Sequence, residues 1–475
     1  MRPNRASRAM TPESGRRDTP AGRRWLSGRL ARGLMIPSSL PLMGTRRLAL
    51  LLGLVIVAAA CQGPTGAAPS QEASGPVPSP VPSIPPAVPS TSAATPQPST
   101  ESIPPAAQSP SPSGTPPPTD TPSRSPEIRF STAGWRTDFT RTSIDLSEID
   151  SGGPPRDGIP PIDKPQFESV DEARGWLSDL SPVIALAIGG DVRAYPIAIL
   201  IWHEIVNDTA GGKPVVVTFC PLCNTAIVFE RTLAGTTYDF GTTGNLRRSD
   251  LVMWDRQTES WWQQATGQAI VGSLTGAQLT FIPAQMISLG DFAKAYPTAK
   301  VLSRDTGFGR RYGINPYPGY DDSGSTPFLF DGVVDGRLAP KERVVAVSIG
   351  SEATAFPYSE LRRAYLAQAT VGGTPILVMW ASGTASPLDR DDVLGRNIGA
   401  AGVFDRRIGG RTLTFHDDGR AGAVDDQTAS RWSITGQAID GTLAGQQLTP
   451  IVHTDPFWFA WAAFEPSTTI WTASQ

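Results

Sequence analysis

The chain has 475 residues, three cysteines and a formal net charge of −3. Residues after 130 contain only isolated basic pairs, such as Arg310–Arg311, so a nucleic-acid partner is not expected. The abundance of glycine and proline favours short strands joined by turns over a helical bundle.

The first segment has the plan of an export signal. In residues 43–61, "MGTRRLALLLGLVIVAAAC", a basic start precedes an apolar run, three alanines and Cys61. This order is typical of a secretory signal, and the apolar run is short for a membrane-spanning helix. A cysteine after small residues resembles a bacterial lipobox, so we predict a lipoprotein anchored to the cell membrane through Cys61. The alternatives are an ordinary signal peptide or a short membrane anchor. We interpret 1–60 as an N-terminal extension plus signal, with translation starting at Met43 or Met35.

Residues 61–127 consist almost entirely of proline, serine, threonine and alanine. Such a composition cannot bury a core and predicts a disordered, polyproline-like stalk. A lipid anchor followed by this stalk would hold the rest of the chain outside the cytoplasm.

The remaining sequence contains blocks that recur in the same order. "IALAIGGDVRAYPIAIL" from residue 184 resembles "VVAVSIGSEATAFPYSEL" from 344, and "GGKPVVVTFCPLCNTA" from 211 resembles "GGTPILVMWASGTASP" from 372. "QTESWWQQATGQAIVGSLTGAQLT" and "QTASRWSITGQAIDGTLAGQQLT" follow. Two copies of one module explain this order, whereas the alternative is chance similarity between glycine and proline turns.

Within each copy the patterns predict mostly strand. A hairpin is expected through Gly189–Gly190, and "PVVVTF", "TAIVFER" and "DLVMWDR" are typical of strands. A short helix is expected after Ser169, with an N-cap serine and early acidic residues, and a second in "SLGDFAKAYP" from 288, ended by Pro297. We therefore predict a β-rich α+β fold with two tandem copies of one mostly-β module. Module one with its lead-in spans 128–310, a connector spans 311–343 and module two spans 344–475.

The second copy is degenerate. It keeps the prolines and glycines of the scaffold but lacks the reactive side chains: Cys220 aligns with Ala381, Cys223 with Thr384, His203 with Ala364 and Asp208 with Ala369. The module can therefore be built without these residues, which argues that they serve chemistry more than folding.

The Cys220–Cys223 pair has three candidate roles. A structural disulfide would close a very small loop and stabilise little. A redox dithiol is the second role, but the strand-like "NTAIVFER" after it argues against a thioredoxin fold, which places a helix there. A metal site is the third, because two thiolates at this spacing can bind one copper or zinc ion together with an imidazole such as His203.

Other polar residues of these blocks are candidates to support the site. A carboxylate, Met253 or water would supply the fourth ligand, and turn, capping or core roles are the alternatives for each residue alone. The supporting candidates are Glu204, Asn207, Asp208, Asp250 and Asp255. No nucleotide cofactor is expected, because no P-loop or dinucleotide motif follows a strand.

From about residue 152 to the C-terminus the chain resembles the DUF3179 family of bacterial exported proteins. The blocks that carry the resemblance are "PRDGIPPIDKPQF", "AYPIAILIWHEIVND", "GGKPVVVTFCPLCNTAIVFER", "SDLVMWDRQTESWWQQATGQAIVG", "RRYGINPYPGYDD" and "LAPKERVVAV". It implies the domain boundaries and the residue set His203, Glu204, Asn207, Asp208, Cys220 and Cys223, but no reaction. Phe219 and Asn224 depart mildly from the family's "TYCPLCG".

The leading hypothesis is metal binding, of the copper or zinc class, by Cys220, Cys223 and His203. The first alternative is an extracytoplasmic thiol–disulfide oxidoreductase that uses the same cysteines. The second is a module that binds the cell envelope through its aromatic residues, with a structural cysteine pair. The sequence leaves open whether the protein is an enzyme and which protein or small molecule is its partner.

Overall fold

The structure is a computed structural model that describes residues 128–419 and 422–473. Cys61, the signal segment and the stalk lie outside the described residues. In the described part of the chain, no helix is long and apolar enough to cross a membrane. The fold is β-rich with few helices, which confirms the predicted class.

The first region, residues 149–302, follows a short 3-10 helix at Leu146–Glu148. Its helices are α1 Val170–Ala173, α2 Ile197–His203 and α3 Leu289–Ala295. Its strands are β1 Ile149–Ser151, β2 Phe167–Ser169, β3 Pro182–Ile188, β4 Asp191–Pro196, β5 Ile205–Ala210, β6 Lys213–Cys220, β7 Thr225–Glu230, β8 Thr232–Leu233, β9 Thr236–Thr237, β10 Phe240–Arg247, β11 Asp250–Asp255, β12 Trp261–Gln263, β13 Gln268–Val271, β14 Thr280–Ile282, β15 Gln285–Ser288 and β16 Lys300–Leu302.

The second region, residues 344–470, contains helices α4 Tyr358–Ala364 and α5 Trp458–Phe464. Its strands are β17 Val344–Ile349, β18 Glu352–Pro357, β19 Leu366–Val371, β20 Thr374–Ala381, β21 Ala400–Asp405, β22 Arg407–Ile408, β23 Arg411–Thr412, β24 Phe415–Asp417, β25 Ala423–Asp425, β26 Arg431–Trp432, β27 Ala438–Asp440 and β28 Thr469–Ile470.

Four sheets build the first region, in the orders β1-β10-β11-β12-β13, β14-β7-β6-β5, β15-β3-β4-β16-β2 and β8-β9. The second region has smaller sheets, in the orders β17-β18-β28, β19-β20-β21 and β24-β25-β26-β27. Neighbouring strands are antiparallel, apart from the parallel pairs β4–β16 and β18–β28. The predicted hairpin through Gly189–Gly190 is confirmed as β3–β4.

The two short helices expected in this region are present, and the cap predicted at Ser169 is confirmed. The Ser169 side chain accepts the Glu172 N–H in a capping box at α1, and Ser288 caps α3. Helix α1 has only four residues, because Gly175 follows closely and disfavours continuation of the helix. Helix α2 was not predicted: its run of β-branched apolar residues is typical of a strand, but six of its seven residues are buried. Because the helix is buried on nearly all sides, tertiary packing overrides the strand propensity of its residues.

The largest apolar core joins the two regions. It contains much of β5, β6 and β7, and residues from the second half of the chain pack into it, namely Leu388, Phe457, Phe459 and Ala460. Both Cys220 and Cys223 lie in this core. The cysteine turn is therefore enclosed by residues far away in the sequence.

Candidate functional site

Cys220 is the last residue of β6, and Cys223 lies in the four-residue loop that leads to β7. Cys220 pairs with Thr225 across the hairpin, and the loop ends at Asn224 with a φ of 55°. Glycine and asparagine both adopt this left-handed conformation readily, so Asn224 in place of the glycine of the family's motif is a conservative change. Both thiols are free, and they are 2% and 0% exposed.

Asp250, the first residue of β11, follows a tight turn that places its side chain beside the thiols. Arg248 and Ser249 form the two-residue connection from β10, and both have positive φ, 55° and 67°. Such a turn normally takes asparagine or glycine, so these residues hold a strained backbone. Ser249 is fixed by its hydroxyl, which donates to the Phe328 carbonyl at 2.6 Å. Its own carbonyl oxygen faces the sulfurs of Cys220 and Cys223 at 3.8 and 3.4 Å.

The structure brings together one ligand atom from each of Cys220, Cys223 and Asp250. The two sulfurs and a carboxylate oxygen lie within 4.8 Å of one another, and all three residues are buried. Asp250 Oδ2 accepts hydrogen bonds from Gln263 Nε2 at 2.6 Å and from the Ala265 N–H at 2.8 Å. Asp250 Oδ1 is buried and accepts no hydrogen bond from an N–H or hydroxyl group, and the Cys223 thiol interacts with the carboxylate. We call these three residues the thiol group.

Burial dominates the electrostatics of this site. It raises the pKa of Asp250 to about 6 and the pKa of Cys223 well above its usual value, with Cys220 adding to the second effect. Glu204, at the end of α2, is also buried, and burial with the nearby charge of Asp250 raises its pKa to about 8. Among the described residues, no cation pairs with Glu204 or Asp250, and the carboxyl of Glu204 makes no hydrogen bond. The site is therefore a buried set of acids without a counter-charge.

Two tyrosines of the segment predicted as a connector complete the surroundings. Burial, then the charges of Glu204 and Cys220, raises the pKa of Tyr317. Burial raises the pKa of Tyr320 as well, with both thiols contributing. Lys341 Nζ lies 3.6 Å from the centre of the Tyr320 ring and donates to its carbonyl at 2.8 Å. Sequence reasoning missed these tyrosines, although the block "RRYGINPYPGYDD" contains both and could have indicated them.

His203 ends α2 and lies outside the thiol group. Its Nδ1 donates to the Pro160 carbonyl at 2.7 Å, and its Nε2 accepts from the Tyr312 hydroxyl at 2.7 Å. Burial lowers the pKa of His203 to about 4, so the ring is neutral. Both nitrogens are thus engaged, and the ligand cluster found in the described residues contains Asp250 where the sequence suggested His203.

The remaining predicted residues make hydrogen bonds away from the thiols. Asn207 exchanges hydrogen bonds with the backbone of Phe240 at 2.8 and 2.9 Å. Asp208 accepts from Arg193 at 2.7 Å and from the Tyr195 hydroxyl at 2.6 Å. Asp255 accepts several hydrogen bonds in the turn between β11 and β12. Of the supporting candidates, Glu204 and Asp250 interact with this site.

The sequence of residues 156–468 matches the model of a protein family of unknown function, DUF3179. The chain belongs to the DUF3179 family. The match includes the cysteine loop, Asp250 and the tyrosine segment, so the whole candidate site lies within the family domain. Neither the curated proteins nor the solved structures contain a match. Membership of the DUF3179 family carries no reaction, and the function has to be argued from the site.

Proposed function

We propose that the thiol group binds a metal ion of the zinc or copper class, with zinc as the better fit. One observation carries the proposal: the buried carboxylate of Asp250, whose Oδ1 accepts no hydrogen bond from an N–H or hydroxyl group, lies beside two free thiols and interacts with that of Cys223. Burying a carboxylate without a counter-charge is costly, and a cation held between it and two thiolates would offset that cost.

The donor types favour zinc. Zinc binds thiolates at about 2.3 Å and carboxylate oxygens at about 2.0–2.2 Å, so ligands around one ion are roughly 3–4 Å apart. A small closing movement of atoms that now lie within 4.8 Å would reach this spacing. Copper(I) prefers sulfur and would leave the carboxylate unused.

We propose Glu204 for the fourth position, which its carboxylate would reach by a further movement, because it lies outside the thiol group. It interacts with Asp250, it is buried, and it has no hydrogen bond or ion pair with any described residue. His203 would then be a positioning residue that anchors the end of α2 through Pro160 and Tyr312.

The same geometry weighs against a thiol–disulfide oxidoreductase. An attacking thiol must be accessible and have a lowered pKa. Cys223 has no exposed surface, and burial raises its pKa.

We further propose that the protein is a lipoprotein held outside the cytoplasm by Cys61 and the stalk. The order of basic, apolar and small residues before Cys61 supports this. Radiolabelled palmitate should enter the native protein and be absent from a Cys61→Ala variant.

The proposed tandem duplication rests on a recurring order of elements. Strands β3, β4, helix α2 and strands β5 and β6 have the same order and pairing as β17, β18, α4, β19 and β20. In this proposal the second copy is a degenerate module that supports the first.

Metal binding is tested by elemental analysis of the full chain, purified without chelator. We expect about one zinc per chain, reduced at least tenfold by Cys220→Ser/Cys223→Ser and by Asp250→Asn. Thr384→Ser is the matched control, because Thr384 is the buried residue aligned with Cys223, and it should keep its metal. His203→Gln should also keep it. Equal metal content in the parent and the double cysteine variant would contradict the proposal.

A further inference from the structure

A cleft of about 690 Å³ lies between strands of the first region and the end of the second. One wall comes from β7 and β14, and the other from residues 452–465, which include α5. Its volume falls within the roughly 300–1,000 Å³ that is usual for small-molecule sites. The cleft is separate from the thiol group, whose members do not line it.

The walls of the cleft are mainly apolar and lack positive charge. Phe281, Trp461 and Phe464 provide aromatic surface. His453 and Glu465 are the ionisable side chains among the lining residues. No lysine or arginine is among them, so an anionic ligand would have no counter-charge and would meet the carboxylate of Glu465.

His453 supplies an unsatisfied acceptor at this wall. Its Nδ1 donates to the Ile451 carbonyl at 2.9 Å, which leaves Nε2 with a free lone pair. Nε2 has no hydrogen-bond partner and is buried behind the cleft surface, so a donor on a ligand would reach it once the imidazole turns towards the cleft. Buried polar atoms are normally paired, so a missing donor is expected here.

Each residue of the thiol group has a close neighbour in the wall of the cleft. Thr225 pairs with Cys220 across the β6–β7 hairpin, and the Ala265 N–H donates to Asp250 Oδ2 at 2.8 Å. Pro456 precedes Phe457, whose N–H donates to the Cys223 carbonyl at 2.9 Å. A molecule bound in the cleft would therefore contact three segments that hold the thiol group in place.

We infer that this cleft binds a neutral, mainly apolar organic molecule with one hydrogen-bond donor for His453, and that its occupancy changes the accessibility of Cys220 and Cys223. Apolar burial supplies the binding energy and His453 the orientation. The inference does not depend on metal binding, because neither the cleft nor its link to the cysteine loop requires an ion.

The first test uses a matched pair of fluorescent probes on the full chain. N-phenyl-1-naphthylamine is neutral, apolar and carries one N–H. Its 8-sulfonate has the same rings with an added negative charge. We expect saturable one-to-one binding of the neutral probe and at least tenfold weaker binding of the sulfonate. No saturable binding of the neutral probe, or equal binding of both, would overturn the assigned ligand class.

Substitutions then place the probe in the cleft. Ala284→Trp should fill the cleft and weaken the neutral probe at least tenfold, whereas Ala187→Trp, at an exposed alanine on β3, should not. His453→Phe should weaken it about fivefold, with partial recovery in His453→Gln. Equal affinity in the parent and Ala284→Trp would overturn the site. Unchanged affinity in His453→Phe would overturn the role of that ring.

The link to the cysteines is measured on metal-free, reduced protein. Iodoacetamide labelling of Cys220 and Cys223, followed by peptide mass spectrometry, should slow at least threefold when the neutral probe is bound. The probe should not change the rate in Ala284→Trp. An unchanged rate in the parent would overturn the link. The Cys220→Ser/Cys223→Ser variant should still bind the probe within twofold, which separates this site from the proposed metal site.

Discussion

Residues 255–262 of the first region and 425–432 of the second form turns with matching hydrogen bonds. Asp255 accepts the Thr258 N–H at 2.6 Å and the indole of Trp262 at 2.9 Å. Asp425 accepts the Thr428 N–H at 2.6 Å and the indole of Trp432 at 3.1 Å. Both tryptophans are fully buried.

The ends of α2 and α4 match in the same way. Glu204 and Tyr365 have left-handed φ values of 57° and 60°, and each N–H donates 2.7 Å to a carbonyl four residues earlier. The backbone is thus shared, while the side chain is a buried carboxyl in one region and a 40% exposed phenol in the other. The local scaffold therefore does not need the acids and thiols, which supports a chemical role for them.

The largest expected effect tests whether the two scaffolds are equivalent. A Cβ at Gly211 or Gly372 would lie 2.3 Å from the carbonyl oxygen of Ile188 or Ile349, and both glycines have positive φ. Gly211→Ala and Gly372→Ala should each lower the free energy of unfolding by about 2–4 kcal/mol. Gly212→Ala, with no atom nearby, should cost about 1 kcal/mol. Urea denaturation would measure this, and a large cost at one position alone would break the comparison.

A smaller effect is expected at the matched turns. Asp255→Ala and Asp425→Ala should each cost about 2–3 kcal/mol, because each leaves a buried indole N–H and a backbone N–H without a partner. Asp171→Ala is the control, because its side chain is 95% exposed, and it should cost under about 0.5 kcal/mol. If the urea midpoint of unfolding falls in Asp255→Ala and is unchanged in Asp425→Ala, the two turns are not equivalent.

The smallest expected effect is a difference between the ends of α2 and α4 in their contribution to the pH dependence of stability. The folded pKa of Glu204 is about 8, above its unfolded value, so its protonated form stabilises the native state at low pH. In metal-free protein this stabilisation should be lost as pH rises from about 5 to 8, by roughly 1–3 kcal/mol. Glu204→Gln should flatten the curve between about pH 6 and 8, whereas the dependence due to Asp250, whose folded pKa is about 6, should remain at lower pH. Tyr365→Phe should leave the curve unchanged. Parallel curves for Glu204→Gln and the parent would contradict this assignment. Because metal ligands must lose their protons, zinc affinity should rise over the same pH range.

Sequence patterns located several elements correctly because the signals are local. Ser169 marks a helix start, and Gly189–Gly190 marks a hairpin. Helix α2 was missed because its residues favour strands by propensity and only their burial decides otherwise. Likewise, the turn residues Arg248 and Ser249 are neither glycine nor asparagine, so the sequence does not predict the tight turn that places Asp250 beside the thiols.

The β-rich class and the family follow from the amino-acid sequence alone, because residue type and spacing are properties of short stretches. A chemical role for Cys220 and Cys223 stays a prediction. The sequence could not choose which side chain meets the thiols. His203 and Glu204 are adjacent, yet the left-handed end of α2 sends one to Pro160 and the other towards Asp250. Only the tertiary structure decides which side chain lies beside the thiols, because this depends on a strained turn and on tyrosines that packing brings from another part of the chain.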